Sequence, residues 1–200
     1  IKICGLNITR DVQLCIDLKV NFLGFVFYKK SPRNINFKNL NILSTYNKKN
    51  SSFVAVTVDP TDNFIKEYLL GNFEYIQLHG SETKDRVTEI KKMGFKVIKA
   101  IKVKEENDID KYKEFTNADI ILFDTPGMEK SLEFPKNLIT KLPQGENYAL
   151  AGSISEDNLQ NINKLGVNFL DLSSSLESQL GYKDHLKIKS FMKKINALEN

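Results

Sequence analysis

Cys4 is the first side chain in this sequence that could act as a reagent. It ends the run "IKIC" and is followed by Gly5. A cysteine at a strand end, beside a residue that lets backbone approach closely, is either a small core filler or a reactive thiol. The stretch itself does not decide between them. Other groups of the kind chemistry uses sit in comparable places, at the ends of short apolar runs. They are Gln77 and His79 in "IQLHG", Asp124 in "ILFDT" and Asp171 in "LDLSSS", with Arg33 in "SPRNI" after "GFVF". Carboxyl, imidazole and thiol groups can exchange protons, and a guanidinium can grip a carboxylate. Two further run ends carry small polar groups, "AGS" at 151–153 and Ser173 to Ser175.

The elements that must position these groups follow from the apolar pattern. Strands are predicted at Ile1–Cys4, Phe22–Phe27, Phe53–Val58, Tyr75–Leu78, Lys96–Ile101, Ile120–Asp124, Tyr148–Ala151 and Asn168–Leu172. Between them lie amphipathic stretches such as "TRDVQLCIDLKV", where Val12, Cys15, Ile16 and Val20 share one helical face. "SETKDRVTEIKKMG" suggests a cap at Ser81 and a stop at Gly94. "DPTDNFIKEYLLG" suggests a cap at Asp59, Pro60 at the first helical position and Gly71 past the end. Strict alternation of strand and helix argues for a parallel sheet with right-handed crossovers. Eight such units suggest a closed (β/α)8 TIM barrel, a single domain over residues 1–200, rather than an open sheet. No glycine-rich dinucleotide fingerprint follows the first strand, which weighs against the Rossmann alternative. In a barrel the C-terminal strand ends meet on one rim. Strand alternation adds that Cys4 shares a face with Lys2, His79 with Gln77, and Ser173 with Asp171.

Composition narrows the function classes. The chain has 200 residues, 41% hydrophobic and 27% charged, the balance of an ordinary globular protein. No apolar run is long enough to span a bilayer, and no signal-peptide pattern opens the sequence. Cys4 and Cys15 form no disulfide framework, so a reduced, cytoplasmic setting is expected. His79 and His185 lack the company of metal ligands, and no metal site is expected. The net charge is +4, but lysines alternate with acids, as in "KVKEENDIDKYKE", which describes a solvated surface. Neither nucleic acid nor membrane is an expected partner. A monomer and a homodimer both remain open.

The segments "KICGLNITRD", "GFVFYKKSPRNI", "VAVTVD", "IQLHG", "VIKAI", "ILFDT", "LAGSISEDNLQNI" and "LDLSSSLESQLGYKDHLKIKSF" run in order from Lys2 to Phe191. Taken together, this series resembles the phosphoribosylanthranilate isomerases of tryptophan biosynthesis. The resemblance implies a phosphorylated small-molecule substrate and an Amadori rearrangement without cofactor. N-(5′-phosphoribosyl)anthranilate would become 1-(2-carboxyphenylamino)-1-deoxyribulose 5-phosphate. An acid must protonate the furanose ring oxygen so that the ring opens to an iminium. A base must then remove the C2′ proton to give an enolamine, which tautomerises to the ketone.

By the same resemblance Cys4 is the general base and Asp124 the general acid. Both begin in the wrong protonation state, since an unperturbed thiol has pKa ~8.5 and an aspartate ~3.9. Burial raises a carboxyl's pKa, and a nearby cation, Arg33 or an inward lysine, lowers a thiol's. The resemblance further implies that Arg33 holds the anthranilate carboxylate, with Gln77 and His79 as a rim pair and Asp171 on a sugar hydroxyl. Phosphate is expected on Gly152, Ser153, Ser173, Ser174 and Ser175, after the seventh and eighth strands. Plainer readings stand beside these: a surface arginine, a histidine satisfied by backbone carbonyls, and a carboxylate that orders loops.

Three departures from the family pattern bear on the site. Ser153 and Ser175 stand where glycines are usual, and a serine at positive φ would cost about 1–2 kcal/mol or shift the loop. After Asp124, "TPGMEKSLEF" keeps Gly127 and Lys130 but loses most of a glycine-rich loop. Related phosphate-binding barrels fit less well. Indole-glycerol-phosphate synthase needs a set of catalytic lysines, ribulose-phosphate epimerase a metal with more histidines, and the dual-substrate isomerases a second aspartate at position 4. A degenerate barrel that binds a sugar phosphate without converting it is the alternative from another class.

Overall fold

The computed structural model describes residues 1–35, 40–43, 45–125, 134–152, 154–164, 166–167 and 169–198. Its strands are β1 (Lys2–Cys4), β2 (Phe22–Phe27), β3 (Ser52–Thr57), β4 (Tyr75–Leu78), β5 (Lys96–Lys102), β6 (Ile120–Asp124), β7 (Tyr148–Ala151) and β8 (Phe169–Leu172). They pair in parallel in sequence order and close, β8 against β1, into a barrel. Each predicted strand is present to within a residue at either end, except that Asn168 lies outside the described residues. The helices between strands are α1 (Thr9–Asp17), α2 (Leu40–Leu43), α3 (Asp62–Phe64, continued by a π-helical turn to Leu69), α4 (Lys84–Lys92), α5 (Glu106–Ile109, continued as 3-10 helix to Phe115), α6 (Lys136–Ile139) and α7 (Leu159–Lys164). After β8 come a 3-10 turn (Ser174–Leu176), a hairpin of β9 (Glu177–Gln179) and β10 (Tyr182–Lys183), and α8 (His185–Leu198).

Two apolar layers follow from the period of two in the strands. Outward residues, among them Ile3, Leu23, Phe25, Phe53, Ile76, Val97 and Phe123, pack against the helices through Val12, Ile16, Val87, Ile90, Ile188 and Phe191. The inner layer is smaller: Val54, Val56, Ile98, Ala100, Leu122, Ala149, Ala151 and Phe169. At the N-terminal end it is floored by Phe22 stacked on Phe169 at 5.0 Å, with Tyr75 edge-on to Phe22 at 5.1 Å. At the other end the inward positions turn polar, and there the candidate site lies.

Two helix starts differ from expectation. The cap of α4 is Thr83, whose hydroxyl accepts from the Arg86 N–H at 3.2 Å, rather than Ser81. The cap of α3 is Thr61, accepting from the Phe64 N–H, rather than Asp59. Asp59 sits at φ 46°, and its carboxylate accepts from the Ser81 N–H at 2.8 Å. A bond between the loops after β3 and β4 has taken the carboxylate that a cap would have used. The stops hold: Gly71 and Gly94 follow their helices at φ 82° and 100°.

Candidate active site

Closure of the barrel brings its first and last strands together, and with them two charges. Lys2 and Asp171 are register partners across the seam of β1 and β8. Their side chains meet inside the barrel, Lys2 Nζ donating to Asp171 Oδ2 at 2.7 Å, and both are nearly sealed from solvent. The charge of Lys2 also acts on the thiol of Cys4, two residues further along β1 on the same face. Room for this cluster comes from β2. Gly24 is the register partner of Cys4, and a Cβ there would lie 3.0 Å from Sγ and 3.2 Å from Lys2 Cε.

Burial dominates the thiol and pushes its pKa up, while the Lys2 ammonium and, next after Asp171, Lys183 act on it in the directions their charges dictate. Cys4 at rest is therefore a thiol, with its stabilising cation already in place. Burial also pushes the Asp171 carboxyl up, opposed by Lys2, and the charge of Asp124 acts on it in the same sense as burial. Lys2 remains an ammonium: burial alone would lower its pKa, but Asp171 and Cys4 together raise it.

Asp124 ends β6 at the same mouth, partly exposed, where His79 Nε2 lies 3.1 Å from its Oδ2. The ring is oriented from behind by Gln77, whose amide nitrogen is 3.1 Å from Nδ1. With the amide placed so, the ring proton sits on Nε2 and is donated to Asp124. Gln77 is buried, and among the described residues its Oε1 has no hydrogen-bond partner; neither has Asp171 Oδ1. Two buried acceptors without such partners at one barrel mouth are costly unless a ligand supplies the donors.

The remaining expected residues that the structure describes fall on the same rim. The pairing Ala151↔Asp171 sets the segment after β7 beside that after β8. Gly152 adopts φ 114°, a conformation that needs glycine. Ser173 donates its hydroxyl to the Cys4 carbonyl at 3.2 Å, which ties the loop to the strand end. Ser175 lies in the 3-10 turn and is not among the described residues at positive φ, so the strain feared for it does not arise. Ser153 and the loop residues 126–133, with Gly127 and Lys130, lie outside the described residues.

Arg33 is on the rim but already engaged. Its Nε and Nη2 donate to the two oxygens of Glu177 at 2.7 and 2.8 Å. It is therefore not the cation on the thiol; Lys2 is. Three participants were missed or left open by sequence reasoning: Lys2, Glu177 and Lys183. Lys2 had a legible signal, since a lysine alternating with Cys4 in an apolar strand points inward. Glu177 had none, because it meets Arg33 only through the fold, 144 residues away.

Comparison with known proteins agrees with this geometry. The family described as N-(5′-phosphoribosyl)anthranilate (PRA) isomerase matches residues 1–194. This chain belongs to that family. N-(5′-phosphoribosyl)anthranilate isomerase of Thermoanaerobacter pseudethanolicus is 32% identical over 204 residues, covering 99% of this chain and 98% of the relative. The crystal structure of phosphoribosyl anthranilate isomerase from Thermotoga maritima superposes with a TM-score of 0.87 at 27% identity, over 98% of each chain. A crystal structure of phosphoribosyl anthranilate isomerase in complex with reduced 1-(o-carboxyphenylamino)-1-deoxyribulose 5-phosphate superposes with a TM-score of 0.84 at 27% identity, over 98% of this chain and 97% of the other.

Proposed function

We propose that this barrel isomerises N-(5′-phosphoribosyl)anthranilate to 1-(2-carboxyphenylamino)-1-deoxyribulose 5-phosphate, a step of tryptophan biosynthesis, with Cys4 as general base and Asp124 as general acid. The observation that carries the assignment of roles is the distribution of partners at the mouth. Cys4 has the charge of Lys2 acting on its sulfur, and Asp124 has the His79 imidazole nitrogen at its carboxylate. A base that passes through a thiolate is helped by a cation, and an acid that ends as a carboxylate is helped by a donor.

The proton balance closes. Asp124 gives one proton to the furanose oxygen as the C1′–O bond breaks, and Cys4 takes one from C2′ of the iminium. The enolamine that results tautomerises to the ketone. The enzyme is then left with a thiol and a carboxylate, and one proton returned from Cys4 to Asp124 through solvent resets it. The resting thiol is thus the state that turnover leaves behind. Before C2′ can be deprotonated, Cys4 must release its proton, and the positive charge of Lys2 lowers the cost of the thiolate.

Asp171 Oδ1 and Gln77 Oε1 face the substrate as acceptors for ribose hydroxyls, with His79 between Gln77 and the acid. Arg33 meets the anthranilate carboxylate. Gly152 and Ser173 to Ser175, together with Ser153, hold the phosphate through backbone N–H groups and hydroxyls. A working thiol at Cys4 suits a reducing compartment, and we assign the enzyme to the cytoplasm, as one domain over residues 1–200.

The test is turnover of freshly prepared phosphoribosylanthranilate, followed by the decay of its fluorescence. The wild type should convert it, and Cys4→Ala and Asp124→Asn, folded by circular dichroism, should not. A folded wild type that binds the substrate without converting it would refute the assignment.

A further inference from the structure

One buried carboxylate near the site has no part in the chemistry described so far. Glu177 opens β9, and its side chain is 4% exposed. It receives Arg33 through Nε and Nη2, Lys183 Nζ at 2.9 Å and the Gly181 N–H at 3.2 Å. Burial would push its carboxyl up, but Arg33 and Lys183 outweigh it and hold the pKa down, to about 2. Lys183 in turn donates to the Ser173 carbonyl at 3.0 Å, and Ser173 to the Cys4 carbonyl. The cluster is thereby tied to the strand end that carries the thiol.

The opposite flank of Arg33 is fixed as well. Gly5 adopts φ 80°, and a Cβ on it would stand 2.6 Å from Arg33 Cδ and 3.2 Å from Cγ. The arginine stem therefore lies against the glycine next to Cys4. On the outer side the hairpin closes on the Arg33 loop, where a Cβ on Gly181 would be 2.9 Å from the Pro32 carbonyl. Wedged between Gly5 and Glu177, Arg33 has one posture. Its Nε–Nη2 edge is held by Glu177, and among the described residues no hydrogen bond occupies Nη1, the group left to meet a ligand. Charge points the same way. Arg33 and Lys183 both bond the Glu177 carboxylate and Lys187 Nζ donates to its backbone carbonyl at 2.7 Å, so cations outnumber the anion and suit one more carboxylate.

We infer that Glu177 is a positioning residue which turns a fixed edge of Arg33 towards the substrate, so that the enzyme prefers substrates bearing a carboxylate on the aromatic ring. This rests on the reading of Arg33 as the carboxylate grip. A guanidinium ordered before binding loses less freedom on binding, and a grip held at one angle discriminates by geometry as well as charge.

The experiment compares phosphoribosylanthranilate with its carboxylate-free analogue, N-(5′-phosphoribosyl)aniline. For Glu177→Gln, KM for the anthranilate substrate should rise about tenfold or more with kcat within about threefold, while kcat/KM for the aniline analogue stays at the wild-type value. In a background of Arg33→Met, adding Glu177→Gln should change nothing further, because the residue acts through Arg33. Should Glu177→Gln fail to fold, Glu177→Asp retains the charge and shortens the reach, and it should show the same substrate-selective loss. Equal losses on both substrates, or a full additional loss in the Arg33→Met background, would overturn the inference while the isomerase reading stands. A wild type inactive on phosphoribosylanthranilate would overturn both.

Discussion

Of the lysine–carboxylate pairs buried among the described residues, two close at 2.7 Å, and they differ in what is left over. Lys99 projects outward from β5 and meets Glu82 in the layer between strands and helices. Every polar group there is answered. Glu82 accepts from the Asp59 and Gly80 backbone N–H groups as well as from Lys99, and Lys99 also donates to the Gly80 carbonyl. Lys2 and Asp171 point inward, where the account stays open: among the described residues Asp171 Oδ1 has no partner, and Lys2 serves a carboxylate by a hydrogen bond and a thiol by its charge. Saturation marks a strut that fixes the loop carrying His79. Incompletion marks a surface kept for a ligand, with the fold bearing the cost of the orphaned oxygen.

The sharpest way to sharpen this contrast is to remove what the inner pair serves. Cys4→Ala should lower kcat/KM by about a thousandfold or more, within the range a general base contributes, with the melting temperature nearly unchanged. Next, Lys2→Met and Lys99→Met should separate the two pairs. Each leaves a buried carboxylate alone and should cost about 3–5 kcal/mol in denaturant unfolding. Corrected for folded fraction, Lys2→Met should also lose roughly a hundredfold in kcat, whereas Lys99→Met should stay within about threefold of the wild type. Equal activity losses from both would break the comparison.

Alkylation of Cys4, followed site by site with mass spectrometry, gives a finer test. Because burial raises the thiol's pKa, its reaction should rise with pH only above the ordinary thiol range of ~8.5, and Lys2→Met should move that rise higher still. The smallest effect expected is at Glu177. Its carboxyl titrates near about 2 in the fold and near ~4.3 unfolded, so the stability it contributes is full above the higher value. That contribution should drain away as pH falls from about 4.5 towards 2. Glu177→Gln should flatten the acid limb of a stability–pH curve over that window.

Much of this architecture was legible before any coordinates. Strand positions were readable because β-branched and aromatic runs alternate with helical periodicity. The barrel followed because eight parallel units have few ways to hide their edges. Cys4, Asp124, His79 and Gln77 were visible as strand-end residues, and the fold brings them to one mouth. Less local facts were not legible. Asp59 has the right side chain to cap a helix, and only the meeting of two loops diverts it to Ser81. From the sequence Arg33 could be a grip on the substrate, a cation near the thiol or a surface arginine, and its tie to Glu177 depends on how a hairpin folds back across the rim. Serine in place of glycine at 175 promised strain, but the 3-10 turn there takes the chain through a conformation that suits serine.

The seam between the first and last strands also bears on when the enzyme becomes one. Lys2 and Cys4 leave the ribosome well before Asp171 and the Glu177 hairpin. A nascent chain that stops short of β8 carries the thiol and its lysine but lacks the carboxylate that anchors them, and Arg33 has nothing to hold it. The thiol and its anchoring carboxylate thus come together only when β8 closes on β1.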